Sequence, residues 1–418
     1  MTAENFDFAT DVAILGAGPA GAGTSLFLSK AGIKHAVFDA ADFPRDKVCG
    51  DALSGKVVSI LRKLAPEWID EMAVNKDSFL GSWGVSFIAP NGRRLDIPFK
   101  KQKGGNGAAP GFISKRIDFD HFLIEKLDVR TADIHLGTRV VDVTYLENGV
   151  DVQFKKNGQT GHCFAKMVVG AEGIRSLVAK KFAHHKGDSK HYCSAVRAYY
   201  ENVTGMHAQN FIELYFLKDI LPGYLWVFPL PNNQANVGLG MLSANMKKKK
   251  MNLKDALTHV IETEPLLKDR FKDAKRIGEI SGWGLPLGSK KRRLSGERFL
   301  LTGDAASLID PFSGEGIGNA LVSAMVASQV ISDAIRSNDF SAQFLSTYDY
   351  KVYDLIWDEL MLSYAMQRWG RVQWLFNMVV NKAIKNPTLS EMISSMFEDV
   401  NLRSKFKSPL FYIKLLLK

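Results

Sequence analysis

Three glycines near the start of the chain have the spacing of a phosphate-binding turn. The GxGxxG pattern follows the apolar run Val12–Leu15 and opens a segment with helical periodicity. In that setting Gly16 permits the tight turn, Gly18 lets the backbone approach a pyrophosphate, and Gly21 allows close helix–strand packing. The helix N-terminus then offers free N–H groups and a positive dipole end to the phosphates. We therefore expect dinucleotide contacts from Gly16, Gly18, Pro19, Ala20 and Gly21.

An acidic residue completes this pattern. Asp39 ends the second apolar run, Ala36–Phe38, and lies 18 residues after Gly21. A carboxylate in that position accepts hydrogen bonds from ribose hydroxyl groups. Glycines that served only a tight turn would not explain the acid. The order strand, turn, helix, strand predicts a βαβ unit with a bound dinucleotide.

Two glycine-containing segments near the other end of the chain have a similar character. Gly303 and Asp304 follow the apolar run Phe299–Leu301, and further glycines lead into a long apolar helix predicted from about Gly316 to Arg336. A helix N-terminus reached through glycines favours close approach by a ligand with negative charge. Taken alone, Asp304 could equally be a helix-capping residue.

Together these segments resemble the FAD-binding fold shared by aromatic hydroxylases, flavin halogenases and geranylgeranyl reductases. The resemblance implies that Gly303 and Asp304 contact the ribityl part of FAD. It also implies that the helix start at Gly314, Gly316 and Ile317 faces the N1/O2 edge of the isoalloxazine. A positive dipole end there would stabilise the anionic reduced flavin.

Three internal segments extend the resemblance. Ser114–Asp120 resembles the family's R-x-x-F-D segment, which implies an FAD contact from Arg116; a salt bridge at a helix start is the alternative. Residues 169–176 resemble the G-A-D-G-x-x-S motif with Glu172 in place of Asp; this departure weakens the case for a direct acidic ligand and leaves the glycine turn intact. Val141, on a predicted strand, is expected to contact the cofactor.

The segment after the ribose-binding strand discriminates best between families. Residues 42–51 match the F-P-R-x-K-x-C-G pattern of geranylgeranyl reductases and lack the His-x-Gly-Glu-Ser continuation of halogenases. The resemblance implies that Arg45 and Gly50 lie beside the cofactor. It places Cys49 near the reactive face of the flavin, as a cofactor contact and a catalytic residue. The alternative is that Cys49 is a buried small hydrophobe.

An aromatic strand offers a candidate substrate wall. Tyr224, Trp226 and Phe228 alternate along the chain, so a strand places them on one face. They could form a core stripe, or they could bind substrate. The segment resembles the reductases' P-x-x-Y-x-W-x-F-P motif, with its proline displaced to Pro222. If this strand binds substrate, Tyr224, Trp226 and Phe228 are all substrate-binding residues, and Tyr224 and Trp226 are also catalytic residues.

The resemblance, over roughly residues 8–340, implies an FAD-dependent oxidoreductase that reduces C=C bonds of a prenyl or similar apolar substrate by hydride transfer. One alternative is an FAD-dependent monooxygenase or halogenase acting on an aromatic or polyketide-like substrate; Lys76 lies in a plausible stretch for a halogenase's relay lysine, but its neighbours do not match. The other is a flavin-free prenyl-binding escort, which the retained Asp39, Arg116 and Gly-Asp segment oppose. Since no second GxGxxG has this context, NAD(P)H or another electron donor would act as a transient reductant.

The elements that must position these residues predict an α/β fold. We expect a Rossmann-like FAD-binding domain, an inserted and mostly antiparallel β-rich substrate domain, and a helical C-terminal region. The predicted boundaries are residues 1–75, 113–185 and 284–340 for the first, 76–112 and 186–283 for the second, and 341–418 for the third.

Composition narrows the class of protein. The 418 residues are 46% hydrophobic and 23% charged, which is typical of a globular chain. The three cysteines form no CxxC pair, so neither a zinc site nor a disulfide framework is predicted, and a reducing cytosol fits. The apolar runs are too short to span a bilayer. We therefore expect a cytoplasmic protein.

The net charge of +10 bears on partners. The runs Lys247–Lys250 and Lys290–Arg293 are either solvated loops or sites of attraction to anionic lipid or a phosphorylated substrate. No nucleic-acid-binding module accompanies the charge, so nucleic acid is not an expected partner. Residues 405–418 mix basic and apolar side chains. They could lie at the inner membrane face as a peripheral anchor, or dock onto the protein's own core.

Overall fold

The computed structural model describes residues 6–99, 107–386 and 389. In chain order, the strands within these residues are β1 Phe8–Leu15, β2 His35–Phe38, β3 Ala52–Leu53, β4 Leu80–Ser82, β5 Gly84–Ile88, β6 Arg94–Pro98, β7 Gly111–Ile113, β8 Ala132–His135, β9 Thr138–Tyr145, β10 Val150–Lys156, β11 Gln159–Gly170, β12 Tyr192–Glu201, β13 Ile212–Tyr215, β14 Tyr224–Leu230, β15 Gln234–Leu242, β16 Lys275–Pro286, β17 Ser295–Gly296 and β18 Phe299–Leu301.

The helices in the same residues are α1 Pro19–Lys30, α2 Gly55–Leu64, α3 Glu67–Val74, α4 Arg116–Glu125, α5 Leu177–Lys181, α6 Ser243–Lys249, α7 Leu253–Thr263, α8 Ile317–Ser337, α9 Ala342–Trp369 and α10 Gln373–Lys385. Short 3-10 turns lie at Gly173–Arg175, Ser189–His191 and Gly303–Ala306.

An eight-stranded sheet with a parallel centre organises the first part of the fold. Its strand order is β17-β18-β11-β1-β2-β8, and β1 pairs in parallel with both β2 and β11. The long strand β11 pairs with β18 near its end and with β10 earlier, and β10 in turn pairs with β9. Val12–Leu15 of β1 are completely buried, because a central parallel strand is covered on both faces.

Helices α1 and α8 pack closely beside this sheet. At their contact Gly23 lacks a Cβ that would lie 2.8 Å from Leu321 Cδ2 and 3.2 Å from Ala324 Cβ. A larger residue would push the helices apart. The close packing brings the N-terminus of each helix to the same edge of the sheet, where the predicted cofactor segments lie.

A second sheet has seven strands in the order β16-β12-β15-β14-β13-β5-β6. Its pairings are antiparallel except for that of β13 with β5. A small third sheet, β3-β7-β4, pairs residues from both sides of the predicted boundary at residues 75 and 76. The α/β fold class is confirmed, and the domain boundaries stay a prediction.

The aromatic strand has two different faces. Tyr224, Trp226 and Phe228 form successive ring contacts, with centroids 6.2 and 6.3 Å apart, so the prediction that they share one face is confirmed. Leu225 and Val227 point to the opposite face, into a core that includes residues of α7. Trp226 and Phe228 are themselves buried in a second apolar cluster, so both faces of the sheet are packed.

The C-terminal helix α9 supports the segment around Asp304. The Tyr348 hydroxyl donates to the Leu301 carbonyl at 2.7 Å, and Gln367 donates to the Pro311 carbonyl at 2.6 Å. The sequence showed no motif there, because these contacts depend only on the tertiary packing. The predicted membrane-binding segment, residues 405–418, lies outside the described residues. Among the helices that the structure describes, none combines the length and apolar character needed to cross a membrane.

We expect Gly21→Ala to destabilise the fold. A Cβ at Gly21 would lie 1.7 Å from the Gly16 carbonyl oxygen, so the turn must shift. Overpacking of this kind lowers the free energy of unfolding by about 1–3 kcal/mol. The control is Gly187→Ala, where a Cβ meets nothing within 4 Å and the backbone has no positive φ. Urea denaturation of both variants measures the difference; equal stability of the two would contradict the packing argument.

Candidate cofactor and substrate site

The predicted cofactor segments meet at one edge of the parallel sheet. Strands β1, β2, β11 and β18 run in the same direction, so their carboxyl ends finish side by side. The turns that follow carry Gly16, Asp39, Ala171 and Gly303. In open α/β sheets, ligands bind in the crevice outside these strand ends.

The three glycines of the first turn have different physical roles. At Gly16, φ is +96° and a Cβ would lie 2.5 Å from the Ala171 carbonyl oxygen. A side chain at Gly21 would collide with the backbone of Gly16. Gly18 is different, because among the described residues beyond its chain neighbours only Arg45 Nη2, at 3.6 Å, lies within 4 Å of its ideal Cβ. The space above Gly18 is open, and Gly18, Pro19 and Ala20 line a cavity.

Asp39 holds the first turn in place. Its Oδ2 accepts a hydrogen bond from the Ala17 N–H at 2.8 Å, and its Oδ1 accepts one from the Ala41 N–H at 2.9 Å. Each carboxylate oxygen has a second lone pair for a ligand hydroxyl. Asp39 is half-buried and lies outside the cavity lining, as does Val141 on β9.

A buried ion cluster lies beside the cavity. Arg116 donates from Nε and Nη2 to both oxygens of Asp120, each at 2.7 Å, and Arg45 Nη1 adds a third bond at 2.8 Å. Burial lowers the pKa of Arg116, but Asp120 and the contacting Cys49 thiol outweigh this, and the pKa is raised. Burial works against ionisation of Asp120, yet Arg116 and Arg45 hold its pKa below the ordinary value.

Arg116 lies in a position that is compatible with both sequence interpretations. It forms the salt bridge at the start of α4 and it also lines the cavity together with Cys49 and Gly50. Two guanidinium groups share one carboxylate, so the cluster has an excess positive charge. Such a charge attracts an anionic ligand. Arg45 contributes to the cluster without lining the cavity.

The Gly-Asp segment reaches the same cavity. Gly303 has φ +59° and a Cβ there would lie 2.8 Å from Ala20 Cβ, so only glycine allows this approach to the first turn. Asp304 lines the cavity, and its Oδ2 lies 3.5 Å from Lys47 Nζ. Among the described hydrogen bonds none uses the Asp304 side chain as a helix cap, which was the alternative for this residue.

The start of α8 lies against the aromatic strand. Gly314, at φ +72°, leaves room for the Tyr224 hydroxyl, which lies 2.9 Å from the ideal Cβ position and donates to the Ser313 carbonyl. Gly316 precedes the helix and Ile317 is its first residue. Burial raises the pKa of Tyr224 above its ordinary value, so the phenol stays protonated.

Glu172 has a structural role in this fold. Its Oε2 accepts from the Ser176 hydroxyl at 2.6 Å, and its Oε1 accepts from the Leu177 and Val178 N–H groups at 3.1 and 3.4 Å. The longer side chain of Glu thus reaches the start of α5. The neighbouring turn still presents Ala171 and Gly173 to the cavity.

The far end of the cavity is apolar. Tyr224, Trp226 and Phe228 line it, and the rest of this part is aliphatic or aromatic: Phe99, Phe112, Ile212, Leu214, Leu285 and Ile309. Cys49 and Gly50 lie between the two ends, and a Cβ at Gly50 would meet Phe228 Cε2 at 3.0 Å. One continuous cavity therefore joins the predicted cofactor loops to the predicted substrate wall.

The sequence indicated no role for Asp51, Trp283 and Glu315, which line the cavity, or for Asn236, which contacts Trp226 and Asp51. Trp283 Nε1 and Glu315 Oε2 are shielded from solvent and have no hydrogen-bond partner among the described residues. A ligand in this cavity could supply those partners. Asn236 lies on a strand without a recognisable motif, whereas Asp51 directly follows the Cys-Gly pair and could have been noticed there.

The comparisons with known proteins agree with this geometry. A family model described as an FAD binding domain matches residues 9–361. A digeranylgeranylglycerophospholipid reductase of Methanococcus aeolicus is 32% identical over 379 residues, which cover 88% of this chain and 89% of that one. The chain belongs to the geranylgeranyl-reductase-like family of FAD-dependent oxidoreductases. The family predicted from residues 42–51 and from the two glycine segments is thus confirmed.

Other proteins similar to this chain include a second reductase and two solved structures. A menaquinone reductase of Mycolicibacterium smegmatis is 29% identical, and the match covers 77% of this chain and 76% of that one. Among solved structures, a geranylgeranyl bacteriochlorophyll reductase-like protein from Thermoplasma acidophilum has a TM-score of 0.78 at 24% identity and covers 98% of this chain. A flavin-dependent brominase has a TM-score of 0.75 at 19% identity, with 98% of each chain covered. These two structural likenesses show the fold.

The residues of the cavity fit FAD. The open space above Gly18 admits a pyrophosphate, which a side chain there would displace. The cationic cluster around Arg116 and the unpartnered donor of Trp283 suit an anionic and hydrogen-bonding cofactor. Gly314, Gly316 and Ile317 line the cavity, so a ring bound there would contact the start of α8.

We expect Gly18→Val to weaken FAD binding without unfolding the protein. The valine side chain projects into the open space of the cavity and contacts none of the backbone that confines Gly16 and Gly21. Fluorescence titration of apoprotein with FAD should show at least a tenfold weaker Kd, since tenfold corresponds to about 1.4 kcal/mol. The melting temperature of the apoprotein should not change. FAD affinity equal to wild type would contradict a pyrophosphate position above Gly18.

We expect Asp304→Ala to lose most of the bound cofactor. The wild-type protein should release one free FAD per chain into the supernatant after heat denaturation, because contacts such as that of Asp304 hold the cofactor without a covalent bond. The control is Asp333→Ala on α8, an exposed carboxylate that pairs with Arg336. A colourless wild type, FMN in the supernatant or a covalent adduct would contradict the assignment, as would full FAD occupancy in Asp304→Ala.

Proposed function

We propose that this enzyme saturates C=C bonds of a prenyl or similar apolar substrate. The observation that carries the proposal is the continuity of the cavity, which joins cofactor loops at Gly18 and Asp304 to an apolar wall at Trp226 and Phe228. The names of its relatives support it, because they describe reductases of a digeranylgeranyl phospholipid and of menaquinone.

The polar end of the cavity would bind the cofactor. In this proposal the backbone at Gly18–Ala20 and the start of α1 hold the pyrophosphate, and Asp39 accepts from ribose hydroxyls. Asp304 holds the ribityl chain with Lys47 beside it, and Arg116 supplies positive charge. The N-terminus of α8 stabilises negative charge on the reduced ring. Bound FAD supplies the hydride for the reaction.

The apolar end would bind and orient the substrate. An isolated C=C bond has no polar group to recognise, so its position depends on the shape of the wall. Tyr224 is fixed by its hydrogen bond to Ser313, and Trp226 by donation from Nε1 to Asn236 Oδ1 at 2.8 Å. Both rings are therefore held in one orientation, which favours one position of the alkene. Cys49 lies at the boundary between the two ends.

The fold also favours a second candidate function. A 1H-pyrrole-2-carbonyl-(peptidyl-carrier protein) chlorinase of Pseudomonas fluorescens is 26% identical, over 85% of this chain. Lys76, considered above as a relay lysine, is exposed in a turn after α3 and lies outside the cavity lining. This placement supports reduction over halogenation.

The reductant and the membrane contact are further parts of the proposal. NAD(P)H or another donor would reach the flavin transiently. Anionic lipid would attract the exposed lysines at the end of α6, Lys247–Lys249, although Lys249 also donates to the Asp219 carbonyl. Of the second basic run, Lys291 lies 5.2 Å from the ring centre of Tyr353 on α9, so that run also packs against the protein.

We expect anaerobic turnover with a polyprenyl substrate to add hydrogen only. The protein is reduced with dithionite, the substrate is added, and the product mass is measured together with reoxidation of the flavin. A gain of two hydrogens per saturated bond supports the proposal. The control is the same substrate with dithionite alone. A product that forms only with oxygen, and that carries added oxygen or halogen, would instead support the monooxygenase or halogenase function.

A further inference from the structure

A buried carboxyl group with one unpartnered oxygen lies on the wall of the cavity. Asp51 is inaccessible to solvent and lines the cavity beside Cys49 and Gly50. Its Oδ2 accepts hydrogen bonds from the Tyr199 hydroxyl at 2.9 Å and from Asn236 Nδ2 at 2.7 Å. Its Oδ1 has no hydrogen-bond partner among the described residues. None of the cofactor-binding or substrate-binding roles proposed above uses this group.

The amide of Asn236 has only one orientation compatible with its contacts. Trp226 Nε1 is solely a donor, so the atom that it contacts, at 2.8 Å, is the amide oxygen. The amide nitrogen then donates both of its hydrogens, one to the Cys49 carbonyl at 2.7 Å and one to Asp51. A single side chain thus links the substrate wall, the Cys-Gly turn and the carboxyl group.

These contacts decide where a proton on Asp51 must lie. Burial, and then the adjacent Asp51, raise the pKa of Tyr199, so its hydroxyl remains a donor. Oδ2 therefore already accepts from two donors, Tyr199 and Asn236. The neutral acid carries its hydrogen on Oδ1, the oxygen that has no partner in the protein.

The charges that face Asp51 do not force it to ionise. Burial raises the pKa of Asp51 to about 7, and this effect outweighs the lowering by its partners. Arg197 lies on β12 and its Nη2 is 3.0 Å from Asp46, while Arg116 on α4 is paired with Asp120. Each of these two cations is already paired with a carboxylate other than Asp51. The neutral acid is therefore accessible near neutral pH, which suits a proton donor.

We propose that Asp51 is the proton donor for the C=C reduction. This role rests on the proposed function. Saturation of the bond takes a hydride from the reduced cofactor at one carbon, and the π electron pair forms the second C–H bond with a proton at the neighbouring carbon. The O–H bond at Asp51 Oδ1 breaks in that step. The carboxylate that remains keeps its hydrogen bonds from Tyr199 and Asn236 and takes a proton back from solvent, and a two-electron donor reduces the cofactor again.

The first test is Asp51→Asn. Asp51 has a left-handed backbone at φ 69°, which Asn also adopts readily, so the fold and FAD content should be retained. In single-turnover experiments, reoxidation of the dithionite-reduced enzyme by substrate should slow by about 10²–10⁴-fold, the usual contribution of a general acid. The control is Asp128→Asn, a carboxylate that pairs with an exposed arginine and should keep the wild-type rate. A wild-type rate in Asp51→Asn overturns the proposal.

The second test is the pH dependence. The single-turnover rate of the wild type should fall as the pH rises through about 7, because the donor loses its proton there. Tyr199→Phe removes a hydrogen bond that lowers the pKa of Asp51, so the midpoint should move to higher pH while the acid remains. A merely structural carboxyl group would leave the midpoint unchanged in Tyr199→Phe, and that result would contradict the proposal.

A third test does not depend on activity. Infrared spectra of the resting protein should contain the carbonyl band of a protonated carboxylic acid at pH 6, and this band should disappear as the pH rises through about 7 and be absent from Asp51→Asn. Absence of the band in wild type overturns the proposal. No reduction by wild type overturns the proposed function and this role with it, whereas reduction that is equally fast in Asp51→Asn overturns only the role of Asp51.

Discussion

Parallel pairing of β1 with β2 and β11 is the constraint on which the rest of the molecule depends. Parallel strands cannot be joined by a tight turn, so the chain must cross over between each pair. The connection from β1 to β2 is a single helix, but the paths from β2 to β11 and from β11 to β18 are long and include the strands of the seven-stranded sheet. All these excursions start at the carboxyl ends of the parallel strands. The second sheet is therefore built beside the cofactor loops, and a cavity between the two is a direct consequence.

Polar groups fix the geometry where the seven-stranded sheet meets the cofactor loops. Asn236 makes three hydrogen bonds, with Trp226, the Cys49 carbonyl and Asp51. Tyr224 donates to the Ser313 carbonyl in the loop before α8. A single hydrogen bond contributes about 0.5–1.5 kcal/mol net, but leaving a buried partner unsatisfied costs about 1–3 kcal/mol. Any other position of the Cys49-Gly50 turn would leave several of these buried groups without hydrogen-bond partners. The network thus selects one arrangement of Trp226, Cys49 and Asp51 more strongly than it stabilises the fold.

The parts of the site that the sequence predicted are those that depend on local backbone requirements. Gly16 needs a positive φ, Gly303 needs to approach Ala20, and the aromatic alternation at Tyr224 fixes a strand face; each leaves a signature within a few residues. Asn236 and Trp283 leave none, because their roles arise from strands that pair across the sheet. The support of the Gly-Asp segment by α9 was invisible for the same reason. The function of Arg116 was left open between two alternatives, and the structure shows that a salt bridge and a place on the cavity wall are compatible.

The position of Asp51 at the boundary between the polar and apolar ends has a physical logic in the proposed reaction. An ionised carboxylate beside an apolar wall would be poorly solvated, which favours the neutral form of the group. Once the proton has left, the charge must be stabilised where it forms. The Tyr199 and Asn236 bonds to Oδ2 are already in place before the step, so no reorganisation is needed. The same two bonds keep the pKa from rising further, and an acid that held its proton more tightly would transfer it to carbon more slowly. Burial and hydrogen bonding therefore act in opposite directions on one group, and their balance near neutrality makes the proton both available and transferable.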